Sequence, residues 1–240
     1  GASAKSSAAW ELWEAAYPRV VEESARGGLN PLTASFGSSF LERAVIDAVC
    51  RLKGSSFDEA LRQDLLGLRT SRDVPPSPVV ELFCRHTVGL GDPLTVGEVP
   101  GQEKAGDGLP RALEEDIEVY GLRYFKVKLR GDPDGDLDRL TRLAVLLNQR
   151  CRGRYKVTLD GNEQYETAAP LESLVEALRS RPYGQEFLDA VLYVEQPFRR
   201  EVALQPAIAA EVATLSRWKP VIIDESDDGI GAFEAALGLG

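Results

Sequence analysis

The second half of the chain repeats one rhythm, a short apolar run followed by an amphipathic segment. FKVKL, YKVTLD, AVLYVE and PVIID are rich in β-branched and aromatic residues, and each reads as a strand. Between them, Asp136–Arg150 carries Leu137, Leu140, Leu143, Ala144 and Leu147 on one helical face, and Leu171–Leu178 and Glu201–Leu215 keep the same spacing. Upstream, PLTVGEV (Pro93–Val99) reads as another strand, and LPRALEEDIEVYG as a helix closed by Gly121. Strands that alternate with helices predict a parallel sheet with right-handed crossovers, either open and doubly wound or closed into a barrel.

The first third reads as helical. Trp10, Trp13, Tyr17 and Val20 or Val21 recur at helical spacing, with Pro18 expected to kink or end that helix. Ser39 with Glu42 matches a capping box ahead of the stripe Leu41, Ala44, Val45, Ala48, Val49 and Leu52, which Gly54 stops. Ser56 with Glu59 matches a second box. Prolines 75, 76 and 78 mark a connection. The expected division is a helical domain over residues 1–91 and the first five strands of a β/α domain over residues 92–240.

A chain of 240 residues can bury a substantial core. Its formal net charge of −10, without a Lys/Arg run, argues against a nucleic-acid partner, because phosphate binding needs a clustered basic surface. No apolar run approaches the roughly 18 residues of a membrane span, and the start GASAKSSAAWELWEAA lacks the order of a signal peptide, so a cytoplasmic location is expected. Cys50, Cys84 and Cys151 form no CxxC and are expected to be buried structural thiols. The one histidine, His86, precedes the strands read here and leaves little for a Ser-His-Asp or Cys-His mechanism. The absence of methionine suggests a partial chain, or consecutive numbers that hide breaks.

The polar residues favour the barrel. Neither GxGxxG nor GxxxxGK[ST] follows any of the strands. Instead charged residues stand at the strand ends: Lys126 and Lys128, then Asp160, Glu195 and Asp224, at intervals of 32, 35 and 29 residues from Lys128 onward. Each interval is one βα unit, and barrel enzymes gather their catalytic groups at the C-terminal ends of successive strands. Three carboxylates at one mouth repel each other unless a cation lies among them. An oxygen-only set suits a hard ion, Mg²⁺ or alternatively Mn²⁺. Lys126 and Lys128, two apart on a strand, point to the same side, where their proximity favours loss of a proton from one of them. Metal and amine together describe proton abstraction next to a carboxylate. Taken singly, each feature has a plainer account: a solvated lysine face, an Asp-Gly-Asn turn, a polar strand end. Arg199 and Arg200 could meet an anionic substrate or merely line a solvated loop.

FKVKL, VTLDGN, YVEQP and VIIDES together resemble the enolase superfamily, in its muconate-lactonizing and mandelate-racemase-like branch with a Lys-x-Lys motif. The resemblance implies a modified β/α barrel of TIM type with an α+β capping domain, of which FLERAVIDAVCRLKG is similar to a helix. It implies Lys128 as general base, Lys126 as its electrostatic helper, Asp160, Glu195 and Asp224 as Mg²⁺ ligands, and Asn162 and Glu225 as supporting polar groups. It departs from the family in lacking a three-stranded sheet before Trp10 and strands beyond the fifth, so a longer protein is expected. The implied activity is abstraction of the proton α to a carboxylate, giving a metal-stabilised enediolate, then racemisation, epimerisation or cycloisomerisation of a small-molecule carboxylate. β-Elimination, as in acid-sugar dehydratases, and a catalytically silent metal-binding relative are the alternatives. Homo-oligomerisation is compatible with all of them.

Overall fold

The computed structural model describes residues 8–69, 74, 75, 77, 79–101 and 108–239. Parts of the proline-rich connection and of the Gly-rich loop after Val99 therefore lie outside the described residues. The chain divides into two compact units, residues 1–81 and 82–240, each with its own apolar cluster.

The first unit is helical, with α1 (Ala9–Arg26), α2 (Pro31–Lys53) and α3 (Phe57–Arg62). Pro18 neither ends nor divides α1, since a proline removes one ladder bond and turns on both sides carry the helix past it. Helix α2 begins well before Ser39, because the Asn30 side chain accepts the Thr33 N–H at 2.8 Å and Pro31 fits the first turn. Ser39 is thus inside the helix and donates to the Phe36 carbonyl. Gly54 does close α2, in the left-handed conformation, and Ser56 with Glu59 forms the capping box of α3. Cys50, Ala60 and Leu66 make the small core of this unit.

Among the described residues the second unit holds five parallel strands, β1 (Arg85–Val88), β2 (Tyr124–Lys128), β3 (Lys156–Asp160), β4 (Val191–Glu195) and β5 (Val221–Ile222), paired in the order β1-β2-β3-β4-β5. A doubly wound sheet reverses its strand order at a switch point, whereas a barrel adds each strand beside the last. The order is that of a β/α barrel. Helices α4 (Leu113–Tyr120), α5 (Pro133–Cys151), α6 (Ala169–Arg179), α7 (Gly184–Ala190), α8 (Arg200–Ala203) and α9 (Ala209–Ser216) occupy the connections, and α10 (Ala232–Leu237) follows β5. The segment read as one helix over Glu201–Leu215 is α8, a 3₁₀ turn at Pro206–Ile208, and α9. Phe125 and Val127, Val157 and Leu159, and Val194 are buried with Leu140, Leu143, Leu147, Leu171 and Leu178 of α5 and α6 in the main core. The other face of the strands carries the polar residues.

Two expectations fail in the N-terminal part of this unit. Pro93–Val99 is not a strand: Val96–Glu98 is a 3₁₀ turn, closed by Glu98, which accepts from the Leu94 N–H and the Thr95 hydroxyl. The first strand is Arg85–Val88 instead, so His86 lies on the sheet, 3.8 Å from Asp116 of α4 and away from the strand ends. Cys84 is exposed, unlike Cys50 and Cys151. No helix among the described residues is long and apolar enough to cross a membrane.

Candidate active site

Strand register assembles the site. Lys128 pairs with Asp160, and Asp160 with Glu195, so the three stand side by side on β2, β3 and β4 at their C-terminal ends. Asp224 comes two residues after Ile222, the partner of Glu195 on β5. Asp160, Glu195 and Asp224 each offer a carboxylate oxygen, and these oxygens all lie within 4.8 Å of one another. Asp160 and Glu195 are buried and Asp224 is exposed. The triad could hold a metal ion.

The lysine pair meets the same carboxylates. Lys126 Nζ donates to Glu195 Oε1 at 2.5 Å and lies 2.8 Å from Asp160 Oδ2, while Lys128 Nζ donates to Asp160 Oδ2 at 2.6 Å. The expected loss of a proton within the pair is not what these contacts favour at Lys126. Burial works against its charge, but the carboxylates of Asp160 and Glu195 outweigh burial and hold its pKa above the ordinary lysine value. For Asp160, burial likewise opposes ionisation, and the ammoniums of Lys126 and Lys128 with the Asn162 N–H overcome it, leaving the carboxyl below its usual range. Glu195 goes the other way. Burial, reinforced by the charges of Asp160 and Asp224, outweighs Lys126 and pushes it up. Its second oxygen, Oε2, is buried without a hydrogen-bond partner among the described residues. Arg85, on β1, approaches that oxygen to 3.9 Å while donating to the Tyr193 hydroxyl at 2.6 Å and to Thr158 Oγ1 at 3.2 Å.

The loops beyond the strands lock together. Asn162 donates its N–H to Asp160 Oδ1 at 2.9 Å and its amide to Glu225 Oε1 at 3.3 Å, which places both expected supporting groups beside the triad. The left-handed positions of the Asp-Gly-Asn turn are Asn162 and Glu163, not the glycine. Gly161 is needed for another reason: a Cβ there would come within 2.6 Å of Pro197 Cα. Arg200 pairs with Glu163 through both its Nε and its Nη2, at 2.8 and 2.6 Å, tying the loop after β4 to that after β3. Arg199 is exposed.

Gln196 and Glu163 do not stand out in the sequence, where Gly161 reads as a turn residue and Arg200 as a loop charge. The signal for Gln196 is alternation, since the residue after Glu195 must face the packed side of the sheet, where an amide needs partners.

Sequential parallel strands with a carboxylate triad and two lysines at their C-terminal ends define a candidate metal site on a β/α-barrel type of sheet. No known family profile matches this chain. It is 32% identical over 123 residues to the L-Lys-D/L-Arg epimerase of Methylococcus capsulatus, a match covering 50% of this chain and 29% of that protein. Its fold is similar to the crystal structure of muconate lactonizing enzyme from Pseudomonas fluorescens complexed with muconolactone, with a TM-score of 0.53 and 20% identity over 94% of this chain and 48% of that one. The first of these relatives is named as an epimerase, and the second shows that the chain shares the fold of a muconate lactonizing enzyme. The chain covers less than half the length of either relative.

Proposed function

We propose that this chain carries the metal- and base-bearing site of an isomerase that removes the proton α to a carboxylate, with Mg²⁺ as its ion and epimerisation as the net reaction. The observation that carries the proposal is the convergence of Lys126, Lys128, Asp160, Glu195 and Asp224 at one end of four neighbouring strands. The donor set fits a hard cation: three carboxylates, no sulfur or imidazole, and in Glu195 Oε2 a buried carboxylate oxygen without a hydrogen-bond partner among the described residues. Mn²⁺ fits the same set. A divalent ion held by Asp160, Glu195 and Asp224 supplies positive charge where negative charge develops on the substrate carboxylate.

The chain's own residues divide the remaining work. Lys126, held between two carboxylates, stays protonated and adds fixed positive charge beside the reacting group. Lys128 has one carboxylate partner and more solvent access, which suits the group that exchanges a proton with substrate. As a neutral amine it takes the α-proton, an N–H bond forming as the C–H bond breaks and its electron pair moves into the carboxylate. Delivery of a proton by water or another acid to the opposite face inverts the centre, and Lys128 gives up the abstracted proton to solvent. The similarity to an epimerase favours that outcome over β-elimination.

The test is exchange of the α-proton of small carboxylates in D₂O with Mg²⁺ present. Exchange is expected with the parent chain and its loss with Lys128→Ala, while Mn²⁺ binding persists. Unchanged exchange in Lys128→Ala would remove Lys128 from the mechanism. Mn²⁺ binding without exchange of any substrate would favour a silent metal-binding relative.

A further inference from the structure

We propose that Gln196 is a positioning residue for the metal site, fixing Asp224 against Glu195 through its side-chain amide. This rests on the metal reading above. The pairing of β4 with β5 ends at Glu195 and Ile222, and β5 has only two residues, so no strand ladder reaches Asp224. The Gln196 side chain does what the ladder does elsewhere.

Its backbone N–H donates to the Ile222 carbonyl at 2.8 Å, one step past the last strand pair. At that point the Gln196 backbone is left-handed, with φ of +36°, and the side chain is buried, 1% exposed. Oε1 accepts from the Asp224 N–H at 2.8 Å and from the Ser226 N–H at 3.1 Å. Nε2 donates to the Phe198 carbonyl and to Ser226 Oγ, both at 2.7 Å. A primary amide offers an acceptor with two lone pairs and two N–H donors, and all four positions are used. The residue therefore joins the loop after β4 to the loop after β5 at both of its ends, with one metal ligand immediately before it and another on its acceptor.

No other natural side chain of this size serves. Glutamate would turn an acceptor toward the Phe198 carbonyl. Methionine would fill the space and leave the N–H groups of Asp224 and Ser226 unpartnered. A purely structural glutamine would lower stability when replaced. One that acts through Asp224 has a further signature, because its loss matters to metal binding only while Asp224 is a ligand.

Mn²⁺ titrations of the parent chain, Gln196→Met, Asp224→Asn and the double variant read that signature. Gln196→Met is expected to weaken Mn²⁺ affinity about tenfold, the scale seen for groups that orient metal ligands. The double variant is expected to bind no more weakly than Asp224→Asn alone. If Gln196→Met does not fold, amide hydrogen exchange in the parent decides: the Asp224 and Ser226 amides exchange as slowly as those of β4 if Gln196 holds them, and rapid exchange overturns the proposal. Additive losses, or a Gln196→Met variant that binds as tightly as the parent, overturn the role of Gln196 alone. A parent chain that binds no Mn²⁺ overturns the metal reading and this proposal with it.

Discussion

At the scale of single residues, the site depends on a contact that has no side chain. The Gly161 N–H donates to the Glu195 carbonyl at 2.8 Å, which continues the β3–β4 pairing past Asp160. An added methyl group would meet Pro197 Cα at 2.6 Å and the Gln196 carbonyl at 3.2 Å, and both of those atoms are backbone that cannot rotate away. Gly161→Ala must therefore spread the ends of β3 and β4, the two strands that carry Asp160 and Glu195. We expect it to weaken Mn²⁺ affinity by about tenfold or more, equivalent to the ~1–3 kcal/mol that overpacking costs, with the far-UV spectrum retained. Unchanged affinity would show that the loop yields without moving the ligands. The charged members of the site were legible in the sequence because their spacing repeats once per βα unit. Gly161 was read as a turn residue, since a sequence shows that a glycine is present and not which of its two uses, left-handed backbone or close approach, applies.

Among the elements, β2, β3 and β4 were legible because one face of each packs under helices and reads as Phe, Val and Leu. Strand β1 was missed for the converse reason. RHTV exposes Arg85 and Thr87, and Arg85 is drawn to Tyr193 and Thr158 on the polar face of the sheet, so the strand has no apolar rhythm to recognise. Pro93–Val99 misled in the opposite sense. Its alternation of apolar residues is real, but Glu98 folds back on the Leu94 N–H and Thr95 hydroxyl and pairs with Arg142 of α5, and those bonds compete with an extended backbone. This turn has its own pH dependence. Burial opposes the charge on Glu98, yet Arg142, then the Leu94 N–H and Thr95, outweigh it and pull the pKa from 4.5 to about 2. A folded value below the unfolded one gives stability that is present above pH 4.5 and is lost as pH falls toward about 2. Glu98→Gln should thus lower the urea midpoint at neutral pH. The gap to the parent should close progressively on acidification through that window. A gap independent of pH would mean that Glu98 acts by packing and not by charge.

At the scale of the whole molecule, chemistry and chain division coincide. Lys126, Lys128, Asp160, Glu195 and Asp224, the groups that brace them and the strands that carry them all belong to residues 82–240. That unit has a continuous core running from Val88 to Leu215, whereas the buried residues of the first unit's core are Cys50, Ala60 and Leu66. The two clusters share no residue, and effects at sites without shared partners add to within a few tenths of a kcal/mol. A chain beginning at Leu82 is therefore expected to keep its helix and strand signature and to bind Mn²⁺ within about twofold of the full chain, the range that such independence allows. Substrate turnover is a separate question, which the same fragment addresses: exchange of the α-proton retained at parental rate would place every group needed for the first step within residues 82–240. Exchange lost with Mn²⁺ binding kept would assign the helical unit a part in holding substrate. A fragment that folds but fails to bind the ion would contradict the assignment of the ion site to residues 82–240, where Asp160, Glu195 and Asp224 all lie.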